Sequence, residues 1–243
     1  MITLDPKSPE SLSSNAAPAR ALRLAVFDCD GTLVDSAHSI VSCMQAACSN
    51  HGFSEPEPES IRRMVGLPLE DAISGLFPQM DKDSVWSVRE GYRQVFTDLR
   101  EKGQVHEPLY QGALDALQIL EKAGWLLGVA TGKALKGLVS TLGSHDIQDR
   151  FVTLQTPDRS PGKPNPDMLY KAMEETGVQA SETVMIGDTT YDMEMARNAG
   201  TLAVGVSWGY HEIEELTQAG AHQIVHSYDK LPEAIESVLA QYG

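Results

Sequence analysis

The sequence has little cysteine, few basic residues and no long apolar run. Only Cys29, Cys43 and Cys48 occur in 243 residues. Three thiols without paired spacing make neither a disulfide framework nor a metal knuckle, and they point to a reducing, cytoplasmic setting. Cys29 lies between two acids, which disfavours a thiolate and a redox role. Lys and Arg number 19 against 34 Asp and Glu, a formal net charge of -15. Such a surface repels phosphate backbones and anionic lipids, which argues against nucleic acid and membranes as partners. No stretch is apolar for long enough to span a bilayer. Residues 1–20 lack the continuous apolar stretch of a signal peptide and are expected to form a flexible tail. The seven histidines show no metal-ligand spacing. There is no internal repeat, and no pattern marks a particular oligomeric state.

What is present is ordinary globular composition, 42% apolar and 22% charged, arranged in alternating segments. Short apolar runs at Leu22–Phe27, Trp125–Ala130, Phe151–Leu154, Val184–Ile186, Leu202–Val206 and Gln223–Val225 predict strands. Helical patterns fall between them at Ala113–Lys122, Leu135–Leu142, Asp167–Glu175, Tyr191–Asn198 and Glu212–Gln218. That alternation predicts an α/β fold, a parallel sheet flanked by helices. Residues 37–108 break the rhythm. They carry helical patterns at Ile40–Cys48, Pro68–Leu76 and Ser84–Leu99 and no clear strand. The expected organisation is a core of residues 21–36 and 109–243 with a helical insert of 37–108.

Three of the apolar runs end in polar clusters: Asp28-Cys29-Asp30-Gly31-Thr32, Thr131-Gly132-Lys133, and Gly187-Asp188 with Asp192 beyond it. In an open parallel sheet the carboxyl ends of the strands line one crevice, so these clusters should converge. Asp28, Asp30, Asp188 and Asp192 would then repel one another unless a cation sits among them. Oxygen donors of this kind suit a hard divalent ion, and Mg²⁺ in particular. Any one of these aspartates alone would pass for a helix cap or turn residue.

The stretch Asp28-Cys29-Asp30-Gly31-Thr32-Leu33-Val34-Asp35-Ser36 resembles the first signature of the haloacid dehalogenase-like hydrolases. Thr131 matches the second motif of that family, Lys163 in Gly162-Lys163-Pro164 the third, and Gly187-Asp188-Thr189-Thr190-Tyr191-Asp192 the fourth. The resemblance runs from about residue 22 to the C-terminus. With the insert between the first and second motifs, it is similar to the subgroup of phosphoglycolate phosphatases and β-phosphoglucomutases. It implies a Rossmann-like core, an α-helical cap domain and a bound Mg²⁺.

It also implies roles. Asp28 would be the nucleophile, and Asp30 the general acid and then the base that activates water. Asp28, Asp188 and the Asp30 carbonyl would ligate the metal. Asp192 would act behind them or position Lys163. Thr131 and Lys163 would hold the phosphoryl oxygens, helped by backbone N–H groups near Gly31 and Gly132. Thr32 would bond within its own turn or help fix Asp30. A small phosphorylated metabolite is the expected partner, phosphoglycolate-like or a sugar phosphate. Arg62, Arg63 and Gly66, in the segment Ile61–Pro68, are candidates for substrate specificity, an arginine forking onto a substrate carboxylate. The Thr-Gly-Lys at 131–133 departs from the Thr-Asn-Lys often found in phosphoglycolate phosphatases. Asp30 argues against a dehalogenase, which protonates no leaving alkoxide. A phosphosugar mutase remains the alternative expectation, and the intact motif residues argue against a non-catalytic binding protein.

Overall fold

Each short apolar run becomes a strand, and the polar residues after it turn into a loop or a helix start. The computed structural model describes residues 21–243, and the tail expected at 1–20 lies outside the described residues. After β1 (Arg23–Phe27) come four helices, α1 (Ala37–Asn50), α2 (Pro58–Met64), α3 (Leu69–Leu76) and α4 (Lys82–Glu101). The chain continues through α5 (Ala113–Lys122), β2 (Trp125–Ala130), α6 (Leu135–Ser144), β3 (Phe151–Gln155) and α7 (Asp167–Thr176). It ends with β4 (Thr183–Gly187), α8 (Thr190–Ala199), β5 (Leu202–Val206), α9 (Ile213–Ala219), β6 (Gln223–Val225) and α10 (Leu231–Tyr242). Two of these helices, α2 and α10, go beyond what the sequence pattern predicts.

The six strands pair in parallel in the order β3-β2-β1-β4-β5-β6. β2 and β3 lie on one side of β1 and β4 to β6 on the other, which is the doubly wound, Rossmann-like arrangement. Alternation along β1 sends Ala25 and Phe27 to one face, where they pack with side chains of α5, α6 and α10. Leu24 and Val26 face the opposite side and pack with α7, α8 and α9. Each buried Leu or Phe contributes roughly 1.5–3 kcal/mol, so both faces stabilise the sheet.

The helices α1 to α4 have an apolar centre of their own. Ile40 and Met44 of α1, Ile61 of α2, Ile73 of α3, and Val85 and Val88 of α4 cluster there, separate from both sheet faces. The loop after α2 leans on the sheet's C-terminal edge. A Cβ added at Gly132 would sit 2.5 Å from the carbonyl oxygens of Gly66 and Leu67, and one at Gly162 would sit 2.0 Å from Pro68. Among the described residues, no helix is long and apolar enough to cross a membrane.

Candidate active site

Asp28 directly follows β1, Thr131 follows β2 and Asp188 follows β4. Because β1 lies between β2 and β4, the ladder brings these three residues side by side at the point where strand order reverses. The Asp28 amide donates to Ile186 O at 2.9 Å, and the Thr131 amide donates to Gln155 O at 3.1 Å.

Lys163 enters from the loop between β3 and α7. Its buried ammonium donates to Asp28 Oδ1 at 2.6 Å and to Asp192 Oδ1 at 2.5 Å. Asp192 also serves its own helix. Its Oδ2 accepts from the Thr189 amide at 3.1 Å and from Thr189 Oγ1 at 2.7 Å, completing a capping box at the start of α8. One carboxylate therefore caps α8 and anchors Lys163.

Asp188 is clamped from both sides. Its Oδ1 accepts from Thr32 Oγ1 at 2.7 Å, and its Oδ2 accepts from the Tyr210 amide at 2.9 Å. Thr32 thus holds Asp188, not Asp30 or its own turn. Gly31 makes this approach possible: its φ is +87°, and a Cβ there would lie 2.3 Å from Asp188 Oδ2.

Asp30 points elsewhere. Its Oδ1 accepts from Ser36 Oγ at 2.6 Å and lies 3.0 Å from Lys133 Nζ, which donates in turn to Glu107 Oε1 at 2.9 Å. Glu107 Oε2 further accepts from Arg100 and Thr141, both at 2.9 Å. Lys133 was expected in the crevice only as part of the Thr131-Gly132-Lys133 cluster, with no role of its own, and Glu107 was not expected there. Lys133 stands two residues after a motif threonine, which is a usable signal, whereas Glu107 lies in a connecting loop with no motif at all. The segment Ser207–His211, which follows a strand and could border the crevice or pack at the core edge by its sequence, does reach the site through the Tyr210 amide.

The electrostatics follow from this burial. Burial, opposed by Lys163 and reinforced by Asp192 and Asp30, pushes the Asp28 carboxyl up to about 7. Burial and the charges of Asp28 and Asp192 hold Asp188 well above the carboxylate range, against the bonds from Thr32 and Tyr210. Burial alone would lower Lys163, but its contacts with Asp192 and Asp28 outweigh that and raise it, so it stays protonated. Lys133 behaves the same way between Asp30 and Glu107. The Cys29 thiol is pushed far up by burial and by Asp30, and is inert as a thiolate.

Acceptor oxygens of Asp28, Asp188 and Asp192 all lie within 4.8 Å of one another. Asp28 Oδ2 is buried without a hydrogen-bond partner. Clustered anionic oxygens with an unpartnered buried atom fit a hard divalent cation. The carboxyl of Asp30 is not part of this cluster.

A cavity of about 600 Å³ opens onto the centre, and Asp28, Asp30, Thr131, Gly132 and Gly66 all line it. Arg62 and Arg63 do not. Arg62 pairs with Glu59 at 3.0 Å on its own helix. Arg63 forks onto Glu215 of α9 at 2.5 and 2.7 Å, and its carbonyl accepts from Tyr191 Oη at 3.2 Å. Arg63 thereby ties the helical insert to the sheet's far half.

A doubly wound sheet with this carboxylate and lysine centre at its reversal point is an α/β enzyme architecture with its site at the strand ends. The chain belongs to the haloacid dehalogenase-like hydrolase family, whose sequence model matches residues 25–206. It is 34% identical over 221 residues to "Probable phosphatase IndB" of Dickeya dadantii, covering 89% of this chain and 94% of that protein. It is 30% identical over 219 residues to the phosphoglycolate phosphatase of Vibrio parahaemolyticus, covering 88% and 96%. Among solved structures it is similar to "a predicted phosphatase from Clostridium acetobutylicum", with a TM-score of 0.80 and 27% identity over 89% of this chain and 99% of that one.

Proposed function

We propose that this phosphatase hydrolyses a small phosphomonoester through an aspartyl-phosphate on Asp28, with Mg²⁺ as its metal. The observation that carries the reading is Asp28 Oδ2, a buried carboxylate oxygen with no hydrogen-bond partner, on a residue that lines the cavity. The other oxygen of the same carboxylate is fixed by Lys163. A nucleophile needs one anchored atom for orientation and one free atom for attack.

Asp28 Oδ2 attacks phosphorus in line with the leaving oxygen. Lys163, anchored by Asp192, and the Thr131 hydroxyl hold the equatorial phosphoryl oxygens and offset their charge. Asp30, positioned by Ser36 and Lys133, gives its proton to the departing alkoxide. As a carboxylate it then takes a proton from the water that cleaves the acyl phosphate, releasing orthophosphate. Asp28, Asp188 and the Asp30 carbonyl would hold Mg²⁺, which supplies charge neutralisation at the phosphoryl oxygens. In this reading residues 37–108 are the cap, closed by the Gly66–Leu67 loop against Gly132, and residues 21–36 with 109–243 are the catalytic core. The phosphatase names of the full-length relatives support hydrolysis over phosphosugar transfer.

The test is phosphate release with Mg²⁺ and with a chelator, for the wild type and for Asp28→Asn. Mg²⁺-dependent release that Asp28→Asn abolishes, in a variant that still unfolds cooperatively, is the expected result. Turnover retained by Asp28→Asn sinks the nucleophile assignment.

A further inference from the structure

The cavity above Asp28 is larger and less polar than a two-carbon substrate needs. Its volume of about 600 Å³ is that of a pocket for a ligand of drug size. Its upper wall is built by the insert, from Ile40, Met44, Ile61, Met64, Tyr92 and Phe96. Tyr92 and Phe96 sit one turn apart on α4, ring centroids 5.7 Å from each other, and present two aromatic faces to the same space. A substrate as small as phosphoglycolate would leave that wall against water.

The charges in the cavity are also taken. A substrate carboxylate requires an unpaired cation beside the phosphate subsite. Lys133 is held by Asp30 and Glu107, Arg100 by Glu107, and Arg93 by Glu90. Among the cations lining the cavity, only Lys136 has no carboxylate partner among the described residues, and its side chain stands exposed to solvent. Polar lining side chains such as Thr97, Glu101, Ser140 and Asp158 come from the end of α4, from α6 and from the loop after β3, whereas the aliphatic side chains of α1 and α2 supply no hydrogen-bonding group. Tyr92 Oη, which has no hydrogen-bond partner among the described residues, offers one bond to an isolated polar atom.

We infer that the substrate is a phosphomonoester whose alcohol carries an uncharged, apolar body of ring size, packed against Tyr92, Phe96 and the α1 to α2 aliphatic side chains. This rests on the phosphatase reading for the position of the phosphate. The pocket itself can be tested apart from it. The full-length protein with Mg²⁺ is assayed on ethyl, butyl, hexyl and benzyl phosphate and on phosphoglycolate. Each buried methylene should multiply kcat/KM by about three- to fourfold. Hexyl and benzyl phosphate should each exceed phosphoglycolate at least tenfold, with the gain in KM. Phe96→Ala should shrink the hexyl-to-ethyl ratio within the same preparation, a ratio that general loss of folded enzyme does not move. A flat series, or phosphoglycolate as the best substrate, overturns the inference. If no ester is hydrolysed, the phosphatase reading fails and calorimetry decides the pocket. Hexylphosphonate binding at least tenfold tighter than methylphosphonate upholds it, and equal binding overturns it.

Discussion

Lys133 carries more of the site than its place in the motif suggests. Its ammonium lies between the buried carboxylates of Asp30 and Glu107, with all three side chains nearly excluded from solvent. Removing one partner of such a cluster leaves uncompensated buried charge and costs about 3–5 kcal/mol. Lys133→Met should therefore lower the unfolding free energy measured in urea by an amount of that order, and adding Glu107→Gln should restore part of it. A midpoint unchanged in Lys133→Met would mean that the two acids are protonated or hydrated without it. The sign of the pH dependence is set by the raised lysine. A base raised in the folded state contributes in full below its unfolded value of 10.5, and that contribution is lost only as pH rises through the still higher folded value. The gap between wild type and Lys133→Met should hence stay constant between pH 6 and 9. Asp28, Thr131, Lys163, Asp188 and Asp192 were legible in the sequence because each sits at a strand end or in a motif loop. The Lys133–Glu107 pair was not, since its partners meet only after the insert has folded back across the sheet edge. Arg62 and Arg63 show the converse: basic residues in a suggestive loop whose guanidinium groups are used up by Glu59 and Glu215.

At the scale of elements, the strands are the part the chain announces. All six are short apolar runs, buried on both faces in the central strands, so hydrophobicity alone marks them. The helix α2 is seven residues, under two turns, too short for a periodicity to show. α10 begins at Leu231-Pro232 and buries Leu231, Ala234, Ile235 and Val238. Its proline at the helix start is a recognised signal, and the spacing of its apolar positions could have revealed it. No local pattern predicts how the loop after α2 meets the strand-end loops. Gly132 is where that contact is tightest, because the atoms facing it are the backbone carbonyls of Gly66 and Leu67, which cannot swing aside. Gly132→Ala should lever the insert off the site without touching either sheet core. With the Asp30 network and the cavity wall displaced by an ångström, kcat/KM should fall about a hundredfold. Thermal unfolding should move by no more than a degree or two. Unchanged kinetics would show that the insert does not have to close this far. A large fall in Tm would assign the glycine to stability instead.

The whole molecule concentrates its acids where they repel most. The chain is strongly acidic overall, and the doubly wound order brings Asp28 and Asp188 from neighbouring strands into one buried cluster with Asp192. One lysine is not enough to offset them: Asp28 still stands at about 7, and Asp188 is raised as well. An acid raised in the folded state favours its protonated form there. Through Asp28, metal-free protein should then lose stability as pH climbs from the unfolded value of 3.8 toward about 7, and that residue's share of the penalty should level off above that. In the proposed reading Mg²⁺ would bind only the ionised oxygens and would compete with those protons. At pH 8, Mg²⁺ at a hundred times its Kd should stabilise the fold by about 2.7 kcal/mol, which for a chain of this size raises Tm by roughly 5–11 °C. At pH 5.5 the same concentration should give little shift, because the carboxyls are occupied by protons. Asp28→Asn removes one of the proposed ligands and one of the mutually repelling charges. Its metal-free Tm should accordingly vary less with pH, and its response to Mg²⁺ should be smaller at pH 8. A Tm shift independent of pH, or identical in wild type and Asp28→Asn, would place the ion on the acidic surface and leave the buried carboxylates to be held by protons alone.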